Sequence, residues 1–237
     1  MPPIAIMLIP AIVVALSGVL ALIWHPSHHA RSLIQHFAAG VVIAVLAVEV
    51  LPELTREHAP NWVLIASFAF GVFLMYVMKI WSEHLEAKSA ASGSEGMNIG
   101  LISTVFIDAA VDGLIIGAGF AASKETGFIL AIGLSVEMLF LGLSLVSNTM
   151  KGWRIVGLTT LLGIDMIASI LLGNYFLTGA STAVISAILA FGVAALLYLV
   201  TEELLIEAHT VQENPTSVLW LFSGFLMFWA FQLYTAH

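Results

Sequence analysis

Asp108 and Asp112 stand four residues apart in Asn98 to Ala122, a stretch that otherwise reads as a membrane span. That spacing puts both carboxylates on one helix face, about one turn apart. Ionised side chains at bilayer depth are costly and rare, and they mark pathways for ions or protons. Glu137 sits in the middle of the next apolar run and Asp165 in the middle of the one after it. Glu49 and Glu53 end the second run, and Glu202, Glu203 and Glu207 end the seventh. No Lys or Arg lies in the middle of any run, and Lys79, at the end of the third, can snorkel to the interface. Protein ion pairs therefore do not neutralise Asp108, Asp112 and Glu137. Two readings remain for these three: protonated and hydrogen-bonded carboxyls, or a cation site. They are compatible, because an arriving cation displaces protons. Three carboxylates from adjacent helices suit a divalent ion better than a monovalent one. Asp165, with Ser169 one turn away, reads either as a satisfied polar group or as part of a pathway. Glu49 and Glu53 read either as a solvated face or as a cation-collecting mouth. His25, His28 and His29 form a polar loop or a metal-sensing patch.

These residues need elements that hold them in a bilayer. Of 237 residues, 60% are hydrophobic and only 9% charged, where a soluble domain carries about 25%. Mean hydropathy is +1.05. The fold class is therefore an all-α membrane protein. The runs are long and continuously apolar, which excludes the alternation of a β-barrel. At about 20 residues per crossing we expect eight transmembrane helices forming one transport domain over residues 1–237. They fall near 4–24, 36–54, 61–81, 98–122, 127–148, 155–177, 182–206 and 217–235. A mobile cytoplasmic loop is expected over 82–97, which contains a small, polar Ser-Gly-rich stretch. Met-Pro-Pro-Ile at the start has no basic region, so the first run is read as a true helix. The chain has no cysteine, which excludes disulfides and thiolate metal sites, and its net charge of -8 leaves no nucleic-acid footprint. Arg31, Lys79, Lys88, Lys151 and Arg154 would fall inside, and Arg56 and Lys124 outside, if both termini are extracytoplasmic. That balance predicts a multi-pass protein of the cell membrane with both termini outside.

Phe37, Glu49, Leu51 and Glu53 of the second run match Phe191, Glu203, Leu205 and Glu207 of the seventh without a gap. The two runs cross in opposite directions, so we expect an inverted repeat of helices 1–3 and 6–8, a common transporter architecture.

At these residues the chain resembles the ZIP (Zrt/Irt-like) divalent metal transporters. Glu49-Val-Leu-Pro52-Glu53 is similar to the family's His-x-x-Pro-Glu. Asp108-Ala109-Ala-Val-Asp112-Gly113 is similar to its His-Asn-x-x-acid-Gly. Tyr198-Leu-Val-Thr-Glu202-Glu203-Leu-Leu-Ile-Glu207-Ala resembles its seventh helix. The family's three ligand positions in the fifth helix fall on Glu137, Met138 and Leu141. The resemblance implies a three-two-three bundle, a pathway along helices 4 and 5, and a homodimer. It assigns one central metal to Asp108, Asp112 and Glu137, while Ala109 and Leu141 leave no second metal. The replacements exchange imidazole for carboxylate, which moves preference from Zn2+ toward harder ions such as Mn2+ or Fe2+.

The expected function is a transporter of zinc-, iron- or manganese-class cations, with the metal as cargo. Glu49 and Glu53 would collect it outside, Asp108, Asp112 and Glu137 hold it at midplane, and Glu203 and Glu207 receive it inside. The alternatives are a non-transporting metal sensor and a proton-linked carrier. An enzyme is not expected: there is no His-Glu-x-x-His and no Gly-x-Ser-x-Gly.

Overall fold

The computed structural model describes residues 3–24, 26–56, 59–91, 99–144, 152–208 and 216–235. Among them no strand occurs, and eight helices are long and apolar enough to cross a membrane. We label them α1 (Ile4–Ile23), α2 (His28–Arg56), α3 (Asn61–Ala91), α4 (Ile99–Ala122), α5 (Lys124–Ser144), α6 (Trp153–Leu177), α7 (Thr182–Leu204, continued by Leu205–Ala208) and α8 (Thr216–Thr235).

Two boundaries differ most from those read off hydropathy. α2 begins at His28, well before the apolar run, because Ser27 caps it: its Oγ accepts the Ala30 N–H at 3.2 Å. His28 and His29 thus open a helix and do not lie in a loop. α3 continues through Ala91 where a loop was expected from residue 82. Its 31 residues reach about 46 Å, well beyond a hydrocarbon core of about 30 Å. Leu85, Glu86, Ala87 and Lys88 are all good helix formers, and Ser82 is tied by its hydroxyl to Thr104 of α4 at 2.6 Å. The rest of the expected loop, 92–98, lies outside the described residues.

α5 is the most enclosed of the eight, with 67% of its apolar stretch buried, against 11% for α3 and 17% for α8. The core therefore sits around α5, with α3 and α8 at the periphery. The main packing pairs are α4–α6, α2–α8, α1–α6, α3–α7 and α1–α5, while α4 also meets α5 and α7. Small residues make the closest crossings. Gly40 of α2 lies against the Leu221 carbonyl and Phe225 amide of α8, and Gly224 of α8 against the Phe37 carbonyl. Gly113 and Gly117 bring α4 onto the backbone of α6 at Met166, Ile170 and Asn174.

α2 and α7 share a local feature. Each contains one π-helical turn, Leu46–Val50 and Val200–Leu204, a spacing of 154 residues. In each, an N–H reaches back five residues: Leu51 to the Leu46 carbonyl and Leu205 to the Val200 carbonyl. The same spacing recurs in the packing. Gly40 meets Phe225 across α2–α8, and Ala194, 154 residues after Gly40, meets Gly71, 154 residues before Phe225. Phe37 meets Gly224, and Phe191 meets Phe70 with ring centroids 6.3 Å apart.

Candidate functional site

α4 is held against α6 by its glycines, and this turns the Asp108–Asp112 face inward. Asp108, Asp112 and Glu137 are 3%, 1% and 2% exposed. Ala109 beside them is 1% exposed, and Met138 is fully buried. Asp108 lies in the field of Glu203 and Asp112, Asp112 in that of Glu137 and Glu203, and Glu137 in that of Asp108 and Glu203. Four carboxylates from α4, α5 and α7 thus surround one region. Among the described residues none of Asp108, Asp112 and Glu137 is paired with a Lys or Arg.

Their oxygens are only partly accounted for. Asp112 Oδ2 and both Glu137 carboxylate oxygens are buried without a hydrogen-bond partner. An unsatisfied buried polar group costs free energy, and a buried unpaired charge far more. These three oxygens are suited to protons or to a cation. Among the described residues, no three Asp, Glu or His side chains gather tightly enough to hold a metal ion as they stand.

Glu203 differs from its expected position. It was assigned to the inner mouth beside Glu207; it lies in the π turn Val200–Leu204, and its charge reaches Asp108, Asp112 and Glu137. Glu207 is helical in backbone, and its side chain lies outside the described residues, as does all of His25. Glu202, next to Glu203, forms an ion pair with Lys79 of α3. Lys79 therefore has a protein partner, and snorkelling alone does not describe it.

Glu49 and Glu53 are each only 9% exposed, so they are not a solvated face. The Thr126 hydroxyl donates to Glu49, and Arg56 Nη1 lies 3.9 Å from Glu53. They border a cavity of about 230 Å3 together with Arg56, Glu125, Thr126 and Gln232. Sequence reasoning missed Glu125, Thr126 and Gln232. Ser123-Lys-Glu-Thr126 could have flagged the first two, as a helix start beside two acids: the Ser123 hydroxyl accepts the Thr126 N–H at 2.9 Å. Asp165 stands apart from the four central acids. It is half-buried and its Oδ2 has no hydrogen-bond partner, so Ser169 does not satisfy that oxygen. His28 and His29 are exposed. His36 is buried inside α2, its Nδ1 2.8 Å from the Ser32 carbonyl.

The chain matches no protein-family model, and no curated protein matches it.

Proposed function

We propose that this protein carries divalent metal cations across a membrane through the site formed by Asp108, Asp112, Glu137 and Glu203. The observation that carries the reading is the set of three buried carboxylate oxygens without hydrogen-bond partners, on Asp112 and Glu137. A permanent structural role would have supplied donors to them. A site that alternates between protons and a cation has no use for fixed donors. The carboxylate-only donor set shifts preference away from imidazole-preferring Zn2+ and toward Mn2+ or Fe2+, against zinc's general advantage in affinity.

The architecture proposed with this function is an inverted repeat of α1–α3 and α6–α8 around α4 and α5. It is supported by the two π turns and the two exchanged helix contacts, all related by one spacing. Both termini are extracytoplasmic in this scheme. Glu49 and Glu53 then border the outer mouth, the four acids hold the ion, and Glu207 lies on the inner side. Movement of α4 and α5 against the repeats alternates access. The protein works as a homodimer in the cell membrane. These statements rest on the likeness to ZIP transporters and on the charge balance of the loops.

That no three ligands gather at metal-binding distance among the described residues favours a second reading. In it the same carboxyls carry protons only, and the protein is a proton-linked carrier. Proteoliposomes separate the two. With a metal-quenched dye trapped inside, the metal reading expects saturable Mn2+ uptake that requires the protein. Proton movement without any Mn2+, Fe2+ or Zn2+ uptake would favour the second reading.

A further inference from the structure

Glu203 lies within the π turn at Val200–Leu204, and its charge reaches the central acids; π turns are rare and are frequent at functional sites. Its counterpart at Leu46–Val50 has a visible tie: Glu49 accepts a hydrogen bond from Thr126 of α5. At Val200–Leu204 the tie is ionic. Glu202, inside the turn, is paired with Lys79 of α3. Tyr198 and Glu83 also lie in the field of Lys79. The positions matching this pair in the other half are Val48 and Leu233, which are apolar. The ionic tie therefore belongs to the Glu203 half alone.

We propose that Lys79 is a positioning residue: by pairing with Glu202 it holds the wide turn open and keeps Glu203 facing Asp108, Asp112 and Glu137. The proposal rests on the four-carboxylate site described above. If the turn narrowed to an ordinary helical one, the chain beyond it would rotate by about 100°. Glu203 would share in that rotation, and Ile206, now 52% exposed just past the turn, would move toward the bundle. Glu202 and Lys79 themselves need not touch the ion.

The test uses the full chain, whose lack of cysteine gives a clean background for labelling. Ile206→Cys is labelled with a water-soluble maleimide in detergent micelles, in the parent, Lys79→Met, Lys79→Arg and the charge exchange Lys79→Glu with Glu202→Lys. Mn2+ affinity is measured on the same proteins. The labelling rate of Lys79→Met is expected to fall about fivefold and its Mn2+ affinity about tenfold, the latter equivalent to about 1.4 kcal/mol. Lys79→Arg and the charge exchange are expected to stay within about twofold of the parent in both readouts. A purely structural pair would lower thermal stability and leave labelling and affinity unchanged, which would overturn the proposal. Should the parent bind no Mn2+, the site reading fails, and the labelling rates alone still decide whether Lys79 holds the turn.

Discussion

Asp112→Ala is expected to reduce Mn2+ uptake into proteoliposomes by at least about 100-fold, equivalent to about 2.7 kcal/mol or more. Asp112 is 1% exposed, is surrounded electrostatically by Glu137 and Glu203, and carries an unpartnered buried oxygen. A cation there would lose both a ligand and a countercharge at an enclosed position. Two unit charges at contact interact by about 4 kcal/mol even at an effective dielectric constant of about 20. Glu137→Gln is expected to act in the same direction, because the amide keeps the shape and removes the charge. Asp165→Asn is the control: it removes a membrane-depth acid that stands apart from the four, and uptake is expected to stay within about twofold. Initial rates over a Mn2+ concentration series check all three. Equal losses in Asp112→Ala and Asp165→Asn would mean that acidity within the bilayer matters but the four-acid site does not.

Gly40→Leu is expected to produce the largest loss of stability. A Cβ at this position runs into the Leu221 carbonyl oxygen and meets the Phe225 amide at 3.0 Å, both backbone atoms of α8. Backbone cannot step aside as a side-chain tip can, so the helices must part. Overpacking usually costs about 1–3 kcal/mol, and a backbone collision belongs at the upper end. Gly224→Leu meets the Phe37 carbonyl in the same crossing and is expected to behave alike. Gly157→Ala is the contrast: nothing lies within 4 Å of an added Cβ there. Thermal unfolding in detergent, followed by the loss of the monodisperse size-exclusion peak, ranks the three variants.

The eight helices were legible because each carries an apolar run near the length of a bilayer crossing. Their ends were less so, because hydropathy registers the bilayer and not the helix. His28, His29 and Arg31 are polar yet helical behind the Ser27 cap, and Ser82 to Ala91 continue α3 beyond any apolar run. Among the acids, Asp108 and Asp112 were legible as a pair from spacing alone, and their burial follows the apolar stretch around them. The nearness of Glu203 to them in charge was not, because it depends on which helices lie opposite, and the π turn around it leaves no trace in composition. The Lys79–Glu202 pair was hidden for the same reason: 123 residues separate its members. The Glu49–Thr126 hydrogen bond joins α2 to the first turn of α5, a contact that no local pattern reports.

The most direct test of a central divalent site is calorimetric titration of the purified protein with Mn2+, Fe2+, Zn2+ and Mg2+, beside a variant carrying Asp108→Ala and Asp112→Ala. Saturable binding of Mn2+ or Fe2+ that the double variant loses is the predicted result. Zn2+ should exceed them by no more than its general advantage at oxygen and nitrogen sites. Binding that persists unchanged in the double variant, or no divalent binding in the parent protein, would contradict the account.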